Sequence, residues 1–268
     1  MEPQARETLL RLLPSIPETL KKKVPEKFEK IGDILIIHVP PSLEVWREEI
    51  GQAFKEVFQA KTVLMKGKIR GEFRVPQCTL LVGSDTSTIH KENGIFYALN
   101  LSKVMFSTGN IHERIRMSRL PHHETVIDMF AGIGYFTLPI AKFCKSTVFA
   151  IEKNWDAFYY LCRNIMLNKV EHLVVPYLMD CRDFDGTADR VIMGHPQAHR
   201  VLDTAFSLVH QGVIHYHEFV PETRMERPAN RLVKAAEKAG KSITITHRRK
   251  IKKFSPGIWH MVYDVQVL

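Results

Sequence analysis

Three carboxylates and two glycines in this chain have the spacing of a nucleoside site. Asp128 and Ala131-Gly132-Ile133-Gly134 follow one another in DMFAGIGYF; Glu152 ends TVFAIE about 20 residues on, and Asp180 ends LVVPYLMD. Glycine this dense in an apolar run costs backbone entropy and packing, so a tight turn or a closely approaching ligand must require it. Gly-x-Gly alone also fits an ordinary turn from strand to helix. The acid at the end of the next strand adds weight, because a carboxylate there accepts hydrogen bonds from both hydroxyls of a ribose. A dinucleotide fits less well. Its pyrophosphate needs a free helix N-terminus and usually a third glycine, whereas position 137 is Thr and the loop carries a strand-end acid. A cation-bearing nucleoside suits these acids better.

The elements that must hold these residues follow from hydropathy. From about residue 120, β-rich runs alternate with helical ones: TVIDMF, YFTLPIAKF, TVFAIE, DAFYYLCRNIMLN, LVVPYLMD, RVIMG, HRVLDTAFSLV and GVIHYHEF. That alternation predicts a parallel sheet covered on both faces. After the helix PANRLVKAAEKAG, the stretches SITITHRRKIKKF and GIWHMVYDVQVL are joined by FSPG with no helix between, which predicts a closing antiparallel hairpin. The expected domain is 119–268. Residues 1–118 have another grammar. Residues 14–30 read as surface loops or a short helix, IGDILIIHV as a strand, and LEVWREEIGQAFKEVFQA as a helix with Val45, Ile50, Phe54 and Val57 on one side. TVLMK, EFRVPQCTLLVG, GIFYALNL and KVMF read as short strands of a small α+β domain with a mainly antiparallel sheet.

Charge points to a partner. Against 29 Asp and Glu stand 38 Lys and Arg, a formal +9 with pI near 9.4, which favours a polyanion. RPANR, HRRKIKK and KKKVPEK are the best candidates for phosphate contacts, although each is also what a solvated charged face looks like. Cys78, Cys144, Cys162 and Cys181 are scattered, which argues against a zinc site or a disulfide framework and fits a reducing cytoplasm. The amino terminus carries its lysines after rather than before the apolar part, the reverse of a secretory signal. No apolar run reaches the roughly 18 residues of a membrane span, so no membrane partner is expected.

Asp-x-x-x-Gly-x-Gly, then Glu, then Asp, on seven strands closed by a hairpin, resembles the class I S-adenosylmethionine-dependent transferases. The implied fold is α/β: a seven-stranded Rossmann-like domain with a smaller N-terminal α+β domain. KVMFSTGNIHERIRMSRL, DMFAGIGYFTLPIAK, ADRVIMGHP and SPGIWHMVYDVQV resemble, more narrowly, the family that modifies the guanosine beside the anticodon of tRNA. Its two branches are the guanosine-37 N1-methyltransferases and the wyosine-pathway aminocarboxypropyltransferases called TYW2. The likeness covers about residues 30–268, and the chain's length is expected to leave out the extra amino-terminal tRNA-binding domain of the full-length methyltransferases.

The methyltransferases carry Asn-Leu-Pro or Asn-Pro-Pro after the fourth strand, where the Asn helps hold the base. Here the stretch is Met193-Gly194-His195-Pro196. The Met-Gly resembles the archaeal TYW2 branch, which implies transfer of the 3-amino-3-carboxypropyl group from S-adenosylmethionine to C7 of 4-demethylwyosine at position 37 of tRNA-Phe. Pro196 keeps open N1-methyltransfer to guanosine 37 or methylation of the wyosine precursor. The resemblance implies cofactor contacts from Ser107, Arg114, Asp128, Phe130, Ala131, Gly132, Gly134, Glu152, Asp180 and Cys181. Ser107 and Arg114 would clamp the methionine tail, and Cys181 would meet the adenine through its backbone. On spacing alone, Arg114 falls on the solvated face of a short helix, ERIRMSR. Gly194 and His195 are implied near the base, and Arg248, Arg249, Lys250, Lys252 and Lys253 near tRNA phosphates. Among His195, His199, His215 and His217 no general base is singled out. The expected partner is the anticodon region of tRNA-Phe, met by a cytoplasmic monomer.

Overall fold

Near-continuous apolar runs can be buried only when both faces of a sheet are covered, and such runs build the larger part of this protein. The computed structural model describes residues 1–71 and 75–268. It divides into two units, Met1–Thr108 and Gly109–Leu268.

In the first unit, β1 (Phe28–Ile31), β2 (Ile34–Ile37), β3 (Thr62–Met65) and β4 (Thr79–Val82) form a sheet in that order. The pair β2–β3 is parallel and the outer pairs are antiparallel. Helices α1 (Pro3–Arg11) and α2 (Arg47–Phe58) supply Leu9, Ile50 and Phe54 to a core shared with Leu35, Ile37 and Val63. A separate hairpin joins β5 (Ser87–Glu92) to β6 (Ile95–Asn100). Three sequence expectations fare differently. Val45 is exposed, because it lies in a 3₁₀ turn, Pro41–Trp46, that precedes α2. KVMF is no strand: the amides of Lys103 and Val104 both bond to the Asn100 carbonyl, which curls the chain into a turn. The Glu72-Phe73-Arg74 part of the expected strand EFRVPQCTLLVG lies outside the described residues.

The second unit opens with α3 (Ile111–Met117) and is built on β7 (Thr125–Asp128), β8 (Thr147–Glu152), β9 (Val174–Leu178), β10 (Arg190–Met193), β11 (Gly212–Pro221), β12 (Ile243–Ser255) and β13 (Ile258–Val267). Their order is β9-β8-β7-β10-β11-β13-β12. The first five strands run parallel and the last two close the sheet as the antiparallel hairpin. Helices α4 (Trp155–Leu167), α5 (Leu202–Ser207) and α6 (Arg227–Lys238) contribute Leu161, Phe206 and Leu232 to the buried residues. Strand order reverses at β7, so the crevice beyond its carboxyl end is where a ligand fits. Asp128 ends β7, Glu152 ends β8 and Gly194 follows β10, which places all three at that crevice. The helix expected after the glycines is short: one turn, Thr137–Pro139, widens into a π turn over Ile140–Cys144. Among the described residues no helix is long and apolar enough to cross a membrane.

Candidate active site

The loop after β7 is held from both sides. Gly132 and Gly134 take φ of +58° and +98°, left-handed backbone that favours glycine. A Cβ on Gly132 would come within 2.6 Å of the Tyr135 ring, and one on Gly134 within 2.7 Å of Leu138. Glu152 accepts the Gly132 N–H at 2.8 Å on Oε2 and the Asn154 N–H at 2.7 Å on Oε1. Each oxygen retains a second lone-pair site, so the same carboxylate can still accept ribose hydroxyls. Burial raises the Glu152 pKa, and the two amides oppose that rise. Asp128 is fully buried and accepts from the Thr137 hydroxyl at 2.8 Å and the Phe130 N–H at 3.3 Å. Burial outweighs those bonds and pushes its pKa up to about 6.

Asp180, beyond β9, is gripped by its own neighbour: Arg182 donates at 2.9 and 2.8 Å to its two oxygens, and Lys153 lies at 3.4 Å. The Arg182 hydrogen bonds hold its carboxyl well below the usual range against some desolvation. Cys181 is buried, and burial together with the charge of Asp180 pushes its thiol up to about 12. A thiol so protonated is no nucleophile.

At the end of β10, Phe130 and His195 stack with ring centroids 5.2 Å apart, linking the β7 and β10 loops. A side chain at Gly194 would need the Phe136 ring to shift. A Cβ there would stand 2.7 Å from Cε2 and 3.0 Å from Cδ2 of Phe136, whose ring is itself buried beside His217 at 5.3 Å. Sequence reasoning missed Phe136, since nothing in the spacing of DMFAGIGYF says that its last residue reaches position 194.

Arg114 is 3% exposed, so the solvated-face alternative is overturned: α3 turns Glu113, Arg114 and Met117 inward together. Ser107 belongs to the first unit and is half-buried there. Next to Arg114, Arg116 anchors α3 to the sheet. It donates to Glu113 at 3.0 and 2.8 Å and to Asp264 on β13 at 3.2 and 3.1 Å. Asp264 also accepts from His215 Nδ1 at 2.6 Å and from Arg249. The far nitrogen of His215 meets Arg190 at 2.7 Å, and Arg190 grips Glu124 at 2.6 and 2.8 Å. Burial and the flanking guanidiniums bring His215 down to about 4 despite Asp264, so the imidazole is neutral near pH 7. The period-two alternation of β11 was the one sequence signal for this network, because it sets His215 and His217 on one face. His217 Nδ1 contacts His260 Nε2 at 3.0 Å, and desolvation holds His217 well below its ordinary value.

The five basic residues of the edge strand β12 are not equivalent. Arg249 faces Asp264, and exposed Arg248 pairs with Glu226 at 3.1 Å. Lys250 and Lys253 each lie over the Trp259 ring at 5.2 Å, while Lys252 is half-buried, with its aliphatic chain beside Gly109.

Comparison with known proteins places the chain in a family. Residues 88–244 match the TRM5/TYW2 methyltransferase domain and residues 9–86 the TYW2 N-terminal domain. The chain is 43% identical to a tRNA(Phe) (4-demethylwyosine(37)-C(7)) aminocarboxypropyltransferase of Pyrococcus horikoshii, over 100% of this chain and 97% of that protein. It is 39% identical to the tRNA (guanine(37)-N(1))-methyltransferase Trm5b of Pyrococcus abyssi, over 96% of this chain and 79% of that one. The crystal structure of P. horikoshii TYW2 in complex with MeSAdo superimposes with a TM-score of 0.89 at 40% identity, covering 100% of this chain and 99% of that chain. The expected seven-stranded α/β fold is the fold observed, and the chain belongs to the TRM5/TYW2 methyltransferase family.

Proposed function

We propose that this protein transfers the 3-amino-3-carboxypropyl group of S-adenosylmethionine to C7 of 4-demethylwyosine at position 37 of tRNA-Phe, releasing methylthioadenosine. One observation carries the choice within the family: Gly194 abuts the buried Phe136 ring, so the base-holding Asn of the methyltransferase branch would fit there only if that ring shifted. The near-complete span over the P. horikoshii aminocarboxypropyltransferase supports the same reading.

The residues present fit S-adenosylmethionine. The glycine loop gives its nucleoside a close backbone approach, Glu152 keeps acceptor sites for the ribose, and Asp128 and Asp180 put negative charge at the neighbouring strand ends. When bound, its sulfonium activates three carbons, and cleavage at the γ-carbon leaves the methyl on sulfur. Which carbon faces the base is therefore a matter of orientation, worth orders of magnitude in rate. Arg114 sets that orientation by pairing with the tail carboxylate, where a guanidinium fixes direction as well as attraction. Phe130 and His195, stacked at the mouth of the crevice, flank the base. C7 of an electron-rich tricycle needs little beyond positioning, and its proton goes to solvent. Arg248, Lys250, Lys252 and Lys253 supply phosphate contacts along β12, and the protein works as a monomer in the cytoplasm.

The test is a double label. With tRNA carrying the tricyclic precursor, label in the cofactor's carboxyl carbon enters the tRNA, label in its methyl group does not, and methylthioadenosine accumulates. Methyl label in unmodified guanosine-37 tRNA, with S-adenosylhomocysteine as by-product, would establish the N1-methyltransferase instead.

A further inference from the structure

Helix α3, which carries Arg114, is seven residues long. Helices of that length do not hold themselves in water, so tertiary anchors must set its position. One polar anchor is Arg116, bonded within the helix to Glu113 and across to Asp264 on β13. Asp264 is 5% exposed and is the meeting point of three elements besides its own: Arg116 from α3, His215 from β11 and Arg249 from β12. Three guanidiniums, Arg116, Arg190 and Arg249, face three carboxylates, Glu113, Glu124 and Asp264, around the neutral His215.

We infer that Asp264 is a positioning residue for the aminocarboxypropyl tail: by holding Arg116 it seats α3, and so aims the Arg114 guanidinium two residues away. The inference rests on the reading of Arg114 as the tail clamp. Arg249, although on the basic edge strand, serves this seat rather than a phosphate. Without the Asp264 charge, Arg116 and Arg249 are left as two cations beside one neutral side chain, and the cheapest relief is for the exposed end of either residue to move. The Arg249 side chain is 30% exposed, whereas Arg116 at 21% is tied to α3, so any movement of Arg116 is transmitted to the helix. Burial opposes ionisation of Asp264, yet the His215 and Arg249 hydrogen bonds and the Arg116 charge outweigh it and keep the carboxyl below its ordinary range.

Methylthioadenosine shares the nucleoside of S-adenosylmethionine and lacks the tail, so the two ligands separate aiming from folding. Calorimetry of Asp264→Asn is expected to show S-adenosylmethionine weakened about tenfold or more, as when a charge-assisted hydrogen bond is removed, with methylthioadenosine changed less than about twofold. Arg114→Ala is expected to show the same selectivity, and Asp264→Glu to restore part of the affinity. Should Asp264→Asn fail to fold, Arg116→Lys keeps the charge and loses the fork, and the same selective, smaller weakening is expected from it. Selective weakening in Arg114→Ala with none in folded Asp264→Asn, or in Arg116→Lys where that variant stands in, overturns the inference alone. Equal weakening of both ligands also overturns it, as a purely structural role. No selectivity in Arg114→Ala overturns the tail clamp and the inference with it.

Discussion

Glu152 reaches twenty residues back along the chain to accept the Gly132 N–H at 2.8 Å, so the acid that ends one strand fixes the glycine loop that follows another. The same carboxylate closes the turn into α4 through the Asn154 N–H. A ribose bound at Glu152 would thereby be held in register with the loop, because one rigid group defines both.

With Glu152 proposed as the ribose acceptor, replacing it with Ala would remove a shared partner for every ligand that carries the ribose. S-adenosylmethionine and methylthioadenosine are expected to weaken alike, by about 1.5–3 kcal/mol for a charge-assisted pair. Calorimetry on the folded variant decides: unchanged affinity for both takes Glu152 out of the site.

Asp128 predicts a pH dependence with a definite sign. Its folded pKa of about 6 lies above the unfolded value near 3.8, so the native state holds the extra proton between them. Stability from this group is therefore greatest below about pH 4 and falls as pH rises through about 6, by up to roughly 3 kcal/mol for about two units. Asp128→Asn cannot titrate. Urea unfolding of both proteins between about pH 4.5 and 7 should show the wild type losing stability relative to the variant, and a flat difference would mean that Asp128 stays ionised throughout.

The strand ends at Asp128 and Glu152 and the glycine turn were legible because alternating apolar runs fix where each parallel strand stops, whereas Asp180 lies two residues beyond the end of β9. The closing hairpin was legible for a similar reason, as two β-rich runs had only FSPG between them. Other features depend on tertiary packing that no local pattern encodes. Arg116 and Asp264 are 148 residues apart in sequence, and the burial of Arg114 follows from where α3 is anchored, not from its own spacing. KVMF has strand propensity, but the Asn100 carbonyl captures two of the amides that follow it. The strand-to-helix turn was right, yet the wide π turn over Ile140–Cys144 starts just after Pro139, which has no N–H to continue a regular ladder.

Gly194→Ala tests the wall that Phe136 forms. A Cβ 2.7 Å from a buried ring overpacks the strand end, with an expected cost of about 1–3 kcal/mol in urea unfolding. Phe136→Leu in the same background should relieve most of that cost, a non-additive pair as neighbours require. Gly194→Asn alone should not confer methyl transfer to guanosine-37 tRNA; if methyl label did enter that tRNA, Phe136 would not be what excludes the amide.

The basic edge strand makes the last prediction, and here the five residues part company. An exposed sheet edge rich in Lys also guards against edge-to-edge pairing, so charge alone does not establish an RNA surface. Arg248, Lys250 and Lys253 are exposed; Arg248 pairs at the surface with Glu226, Lys253 lies 3.9 Å from Glu222, and both lysines lie over Trp259, and surface interactions of these kinds are weak enough to be exchanged for phosphates. Neutralising those three should weaken tRNA binding and flatten its dependence on salt by roughly 0.7–0.9 in slope for each phosphate left without its cation, while affinity for S-adenosylmethionine stays nearly unchanged. Arg249→Gln should behave in the opposite way, leaving the slope near its wild-type value and disturbing tail binding through Asp264. Filter binding across a range of salt, with calorimetry on the cofactor, reads both halves; an unaltered slope in the triple variant would place the tRNA footprint elsewhere on the protein.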